Sequence, residues 1–224
     1  MREVVDGVFE IGFGFVHAHL VVVDDGVVLV DTGLPGRASK VAQALVEARR
    51  KVGDVRTILL THRHPDHVGG LAELRRRSGA RVVAHAADAP AITGAQPPAA
   101  SGFARVIGLF TKPPEPAPVD DTLTADGPLA VPGFTAVHTP GHTPGHVSYL
   151  LDRAGGVLFV GDAAGGGGRG GRVRRTPRLF NEDSPRAATS VARLAELEFE
   201  VAVFGHGRAV TGRAVDGFRR LAAR

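Results

Sequence analysis

No cysteine occurs in the 224 residues. That excludes disulfides and thiolate ligands, and leaves imidazole and carboxylate for any metal. Nor is there a run of about 18 apolar residues, so no transmembrane helix is expected. The opening residues, Met1-Arg2-Glu3-Val4-Val5-Asp6, carry acid early and lack the apolar core of a signal peptide. A cytoplasmic location is therefore the default expectation. Aromatic residues make up 5% of the chain, and no alternation of basic with aromatic side chains points to base stacking. Lysine is scarce, at 3 against 24 arginines, with a net charge of +4. An anionic partner fits that excess. A compositional bias toward Ala, Arg and Gly is the plainer account of it.

What is present suits one domain over residues 1–224, with 43% hydrophobic residues to build its core. Val8–Gly12, His17–Val23 and Val27–Val30 read as strands, with Asp24-Asp25-Gly26 as a hairpin turn. Ala38–Arg49 has the period of an amphipathic helix. Thr57–Leu60 reads as a buried strand, Val68–Ser78 as a helix and Arg81–Ala84 as a strand. Prolines crowd residues 94–119 and leave room for a short helix near Phe103–Phe110. An irregular insertion of this kind is a functional or a disordered loop. Strands resume at Phe134–His138, Val147–Leu151, Val157–Val160 and Val201–Phe204. Ser184-Pro185 predicts a helix N-cap followed by Pro at the first helical position. A last helix is expected from about Gly212 to Ala223. Gly26-Val27-Val28-Leu29-Val30-Asp31-Thr32-Gly33 is echoed faintly in Gly156-Val157-Leu158-Phe159-Val160-Gly161-Asp162-Ala163. Two similar halves would produce such an echo.

The chemistry concentrates in Thr61-His62-Arg63-His64-Pro65-Asp66-His67. On extended chain, residues two apart point the same way, so His62 and His64 can share one ion. Asp66 and His67 are adjacent and diverge, which suits a second ion beside the first. Three histidines and an aspartate in six positions match metal-ligand chemistry. Further histidines stand at His138, His142 and His146, and spacing alone does not separate them. Asp162 lies just past a buried strand, and a single carboxylate can bridge two cations. His206 lies at another strand end.

The stretch THRHPDH resembles the His-x-His-x-Asp-His signature of the metallo-β-lactamase superfamily. The resemblance implies an α/β, four-layer αββα sandwich and a dinuclear hydrolase. It implies His62, His64 and His142 on one ion, Asp66, His67 and His206 on the other, and Asp162 as the bridge. His146 then supports its loop, and Asp31 holds the metal loop in place. Two divalent ions are implied, with Zn best suited and Fe or Mn also fitting. A hydroxide shared between them would attack a carbonyl or phosphoryl group, with Asp66 orienting it or passing a proton.

Asp162 resembles the bridging ligand of the glyoxalase II, lactonase and nuclease branches, and true β-lactamases of the family lack it. The spacings, 75 residues from His67 to His142, 20 to Asp162 and 44 to His206, sit closer to the quorum-quenching lactonases than to glyoxalase II. Those lactonases place Tyr three residues after the bridge. Here that position is Gly165, and the only tyrosine, Tyr149, falls in a strand. The glutathione-binding helical segment of glyoxalase II and the long arms of the nucleases are not expected in a chain ending 18 residues after His206. The expected substrate is a small carboxylic ester, thioester or lactone. The rival readings are a nuclease or phosphodiesterase, an iron dioxygenase, and an idle ligand-binding or sensing protein. Neither a membrane nor a nucleic-acid partner is expected. Finally, the glycine-rich segment after Asp162 carries Arg169, Arg172, Arg174 and Arg175. It is expected to be mobile without ligand and to draw in an anionic substrate.

Overall fold

Alternation and apolar runs in the first thirty residues produce an antiparallel ribbon of β1 (Arg2–Val5), β2 (Val8–Gly12), β3 (His17–Val23) and β4 (Gly26–Val30). The computed structural model describes residues 1–96, 114–167 and 172–223. Val23 pairs with Gly26, so Asp24-Asp25 alone makes the turn and Gly26 already belongs to β4. Three strands then add in parallel: β5 (Val55–Leu59), β6 (Arg81–His85) and β7 (Asp121–Leu123). The sheet runs β1-β2-β3-β4-β5-β6-β7. On its outer face lie α1 (Ala38–Glu47) and α3 (Leu71–Ser78). Val41 and Leu45 of α1 and Leu71 and Leu74 of α3 share a core there with Leu20, Leu29 and Ile58.

The second sheet contains β8 (Gly127–Pro128), β9 (Phe134–His138), β10 (Val147–Leu151), β11 (Val157–Phe159), β14 (Val201–Val203) and β15 (Val210–Thr211). Its order is β15-β14-β11-β10-β9-β8. α5 (Ser184–Leu194) and α6 (Val215–Ala222) cover its outer face, with Val191, Leu194 and Phe218 packed on Leu158, Val160 and Phe204. Between the sheets, Val8, Val21, Val28, Val30 and Leu59 meet Phe134, Tyr149, Phe159 and Val203. Each large side chain buried there contributes about 1.5–3 kcal/mol. The result is the αββα sandwich, with cores outside each sheet and a third between them.

This layering decides where the chemistry can stand. β4 pairs in parallel with β5, and β11 with β14. The ends of these four strands lead directly to Asp31, His62, Asp162 and His206. The echo between the halves is visible in the backbone. Asp31, after β4, has φ 63°, and Gly161, its counterpart after β11, has φ 57°.

Three expectations change. The helix expected over Val68–Ser78 is two pieces, α2 (Pro65–Val68) and α3. The chain from Thr32 to Pro35 crosses at the break, with Thr32 N donating to His67 O and Gly69 N donating to Gly33 O. The cap of α5 is Asp183 rather than Ser184. Its carboxylate accepts from Arg186 N, and Ser184 and Pro185 form the first turn. The glycine-rich segment is in its described parts an antiparallel ribbon of β12 (Ala164–Gly166) and β13 (Val173–Arg175). Gly166 N donates to His206 O. A Cβ on Gly166 would stand 2.2 Å from Arg208 O, so glycine there serves close packing rather than freedom. The short helix expected near Phe103–Phe110 lies outside the described residues. In α4 (Ala89–Ile92), Ile92 O accepts from Ala117 N.

Candidate metal centre

β5 ends at Leu59, and the next residues are held extended by bonds to their neighbours. Leu60 N donates to Val83 O, and Leu60 O accepts from the buried Tyr149 hydroxyl at 2.7 Å. Burial raises the Tyr149 pKa well above its usual value, so the hydroxyl stays a donor. Thr61 N and Oγ1 donate to the two oxygens of Asp31 at 2.8 and 2.7 Å. Asp31 thus lies under the loop, as expected of it. From this base His62 and His64 turn the same way, and α2 begins at Pro65, presenting Asp66 and His67.

Each imidazole is oriented by its own partner. His62 Nδ1 lies 3.0 Å from Thr61 Oγ1, His67 Nδ1 2.8 Å from Asp31 Oδ2, and His142 Nδ1 3.3 Å from Asn181 Oδ1. His206 Nδ1 lies 2.8 Å from Phe15 O. An N–H donated to each of these oxygens leaves Nε2 as the face with the lone pair, the usual way a protein orients a metal-binding histidine. His64 instead presents Nδ1.

Those faces converge. His64 Nδ1 stands 3.0 Å from His62 Nε2 and 2.9 Å from His142 Nε2. Asp162 Oδ2 is 3.4 Å from His142 Nε2 and 3.2 Å from His206 Nε2, while Oδ1 is 3.5 Å from His67 Nε2. Asp66 Oδ2 is 3.4 Å from His206 Nε2 and 3.9 Å from His67 Nε2. Three groups among the described residues could hold an ion: His62 with His64 and His142, His62 with His67 and Asp162, and Asp66 with His67 and His206. All seven residues expected on metal are therefore in one place.

Two observations test whether a cation fits. First, His67 Nε2 and Asp162 Oδ1 are buried without a hydrogen-bond partner among the described residues. Burying a polar atom unpaired costs about 1–3 kcal/mol, and a cation between the two removes that cost. Second, burial, then neighbouring imidazoles, lowers His62 well below its usual pKa and His64 to about 3. Burial lowers His142 as well. These three are neutral ligands at physiological pH. On the other side, burial opposes charge on His67 and His206, but the facing carboxylates outweigh it. Asp162, Asp66 and Asp31 raise His67 well above its usual value, and Asp162 and Asp66 raise His206 to about 10. Burial would raise both carboxylates, yet His67 and His206 hold Asp66 at about 2 and Asp162 well below the usual range. A strongly anionic pair of carboxylates facing imidazoles is a donor set for divalent cations.

Asp162 owes its position to two glycines. A Cβ on Gly205 would stand 2.2 Å from Asp162 Oδ1 and 2.6 Å from His67 Cε1. One on Gly161 would stand 2.6 Å from His146 Nε2, where φ is in any case left-handed. His146 Nε2 accepts from Asp162 N at 2.9 Å, and its Nδ1 lies 2.8 Å from Thr139 Oγ1. Both nitrogens are occupied, so His146 is a support for Asp162. His138 is turned elsewhere, with Nε2 2.9 Å from Pro144 O and its ring stacked on His85.

The arginines are dispersed. Arg172 and Arg174 are exposed, and Arg169 lies outside the described residues. Arg175 donates to Leu221 O at the end of α6. It also lines, with Arg178, Thr176, Asn181, Ser184 and Ala163, a cavity of about 420 Å³. Thr176 Oγ1 in that wall donates to Asp162 O at 2.7 Å, and Asn181 reaches His142, so the cavity adjoins the centre. Sequence reasoning missed Asn181 and Phe15. Phe15 stacks on His206 at 5.9 Å between ring centroids and is 65% exposed. Neither carries a local signal, because an Asn after a turn and a Phe in a loop are commonplace.

The model of the metallo-beta-lactamase superfamily matches residues 11–206. "Probable metallo-hydrolase YflN" of Bacillus subtilis is 32% identical over 211 residues, covering 83% of this chain and 77% of that protein. A hydroxyacylglutathione hydrolase of Methylobacillus flagellatus is 32% identical over 191 residues. That match covers 85% of this chain but 58% of the relative, so the chain spans a little over half of its length. A solved metallo-beta-lactamase of Cronobacter sakazakii superposes with a TM-score of 0.71 at 26% identity, covering 92% of this chain and 80% of that one. With the αββα layers and the convergent histidines at the strand ends, these matches mean that the chain belongs to the metallo-beta-lactamase superfamily.

Proposed function

We propose that the chain is a metal-dependent hydrolase that holds two divalent ions and cleaves a carboxylic ester, thioester or lactone. His62, His64 and His142 would hold one ion, Asp66, His67 and His206 the other, with Asp162 shared. The observation that carries this reading is Asp162, whose two oxygens lie 3.2–3.5 Å from His67, His142 and His206. One carboxylate thereby faces both groups. The nitrogen and carboxylate donors suit Zn first, and Fe or Mn after it. Bound there, such ions would lower the pKa of water toward about 7 and polarise a carbonyl.

The remaining tasks fall to side chains. The Asp66 carboxylate is 25% exposed against 7% for Asp162, and it is ionised. It is the more exposed carboxylate of the centre and can orient a reacting water. His206, 37% exposed, and the ring of Phe15 form the open rim. Phe15 offers an apolar surface to an acyl or leaving group. Arg175 and Arg178, in the adjoining cavity, would take a negative group at the far end of the substrate. A thioester with an anionic tail meets both requirements, and several curated relatives are named hydroxyacylglutathione hydrolases.

Metal analysis followed by a panel of thioesters, lactones, aryl esters, a β-lactam and RNA tests the proposal. About two ions per chain and turnover confined to the first three classes are expected. Cleavage of RNA alone would replace the reading with a nuclease. Full metal content with no turnover on any of them would replace it with a binding protein. Within the panel, replacing Arg175 and Arg178 by Gln is expected to raise KM for a charged thioester and leave its neutral analogue unchanged. Equal effects on both would remove the anionic tail from the proposal.

A further inference from the structure

The extended stretch Thr61–His64 alternates. His62 and His64 face the centre, while Thr61 and Arg63 face away from it. Thr61 is anchored on Asp31. Arg63 is anchored on a second buried carboxylate, Asp88, which is 1% exposed. Asp88 stands where it would cap α4, yet its side chain makes no bond to that helix. All its acceptor capacity goes to the two histidine loops. Oδ1 accepts from Arg63 Nη1 at 2.6 Å and Gly145 N at 3.0 Å, and Oδ2 from Arg63 N at 3.1 Å and Thr143 Oγ1 at 2.7 Å. One carboxylate therefore fastens the loop of His62 and His64 to the loop of His142. Arg63 extends the fastening to a third loop. Its Nη2 donates to Glu182 Oε1 at 2.5 Å. Glu182 N in turn donates to His142 O at 3.3 Å, and the neighbouring Asn181 orients the His142 ring.

We infer that Asp88 is a positioning residue for the three-histidine group alone, acting through Arg63 and Thr143. It rests on the two-ion reading above. The two buried aspartates differ in reach, Asp31 touching both groups because Thr61, which it holds, orients His62. Asp31 bonds directly to His67, in the other group, and to Thr61. Among the described residues the bonds of the Asp88 side chain reach none of Asp66, His67 or His206. Metal sites tolerate little play, since a constellation must be held within about 0.5 Å of its working geometry. Three histidines from two separate loops meet that tolerance only if the loops are fixed to each other. Asp88 supplies four of the bonds that fix them, beside Val147 N donating to Thr61 O. Its partners are buried donors, so losing an acceptor leaves them unpaired and lets the loops shift.

The test uses metal-free full-length chain carrying Asp88→Asn or Thr143→Val. Thr143→Val deletes one bond and keeps the buried Arg63–Asp88 pair, so it decides the matter if Asp88→Asn does not fold. Zinc is titrated against a chromophoric chelator to resolve two dissociation constants. Ring 15N spectra identify which histidines bind. Asp88→Asn is expected to weaken one ion by about 10–100-fold, Thr143→Val by less, and the other ion by under about threefold. The histidines losing their metal shift should be His62, His64 and His142. A role confined to stability would lower the melting temperature of the metal-free chain and weaken both ions alike, and that result overturns the inference. So does unchanged affinity at both. A wild-type chain that binds a single ion overturns the two-ion reading instead, and is recognised before any variant is made.

Discussion

The two Gly-His histidines provide a sharp test, because His142 and His146 sit four residues apart and have opposite tasks. His146 is fully buried, with one nitrogen on Asp162 N and the other on Thr139 Oγ1. His146→Ala strands Asp162 N, at about 1–3 kcal/mol, leaves Thr139 Oγ1 with Ser148 Oγ as its remaining partner, and opens a ring-sized void. A total near 3–5 kcal/mol corresponds to a fall of roughly 6–20 °C in melting temperature for a chain of this size. His142 bonds Asn181 at a longer 3.3 Å and points its free nitrogen at the centre. His142, 3% exposed, loses this one weak bond and its ring volume, so His142→Ala should cost less than His146→Ala in the metal-free chain. His142→Ala removes a ligand outright, so one ion should be lost. The assay is thermal unfolding in excess chelator, paired with metal content after dialysis against zinc. The expected pattern is crossed: His146→Ala unfolds at the lower temperature of the two, whereas His142→Ala holds less metal. A metal-poor His146→Ala of unchanged melting temperature would show that the roles are reversed, and that neither ring does what its hydrogen bonds imply.

Three further outcomes are expected. Asp162→Ala should weaken both ions and lower kcat/KM by about a hundredfold or more, because its oxygens face both groups; full metal content with normal turnover would remove Asp162 from the centre. Gly205→Ala introduces a methyl 2.2 Å from Asp162 Oδ1, so a loss of about 1–3 kcal/mol with weakened metal binding is expected, read by urea unfolding and metal titration. In the metal-free chain, burial lowers His19 to about 3 and His146 well below its usual value. Between pH 6.5 and about 3 the unfolded chain takes up protons that these rings refuse when folded, so stability should fall with pH in that window. A urea midpoint equal at pH 7 and pH 4 would contradict it.

Much of this centre was legible because its residues are chemically conspicuous and cluster at strand ends. His62, His64, Asp66 and His67 fall within six positions, and period-two geometry already separates them into two groups. The strands Val8–Gly12, His17–Val23, Phe134–His138 and Val147–Leu151 have the bounds that their apolar patterns imply. The echo of the two halves also had structural content, since Asp31 and Gly161 each follow a buried strand in the left-handed conformation. Where reading failed, the deciding partner was remote in sequence. The break between α2 and α3 is caused by the chain near Thr32, not by any residue between Val68 and Ser78. The glycine-rich segment looked free because its partners, at residues 206–208 and 217–221, are far along the chain.

Residue type and local period, read from the sequence alone, determined the cluster His62, His64, Asp66 and His67 and its two faces; His142, Asp162, His206 and the sandwich came with the family resemblance which that cluster carries. Spacing left His138, His142 and His146 open and the resemblance implied His142; the tertiary structure shows what each ring meets. It alone disclosed Asp88 too. An aspartate before Ala89-Pro90 reads locally as a helix cap. Its four donors come from residues 25 to 57 positions away, brought together only when the two sheets close.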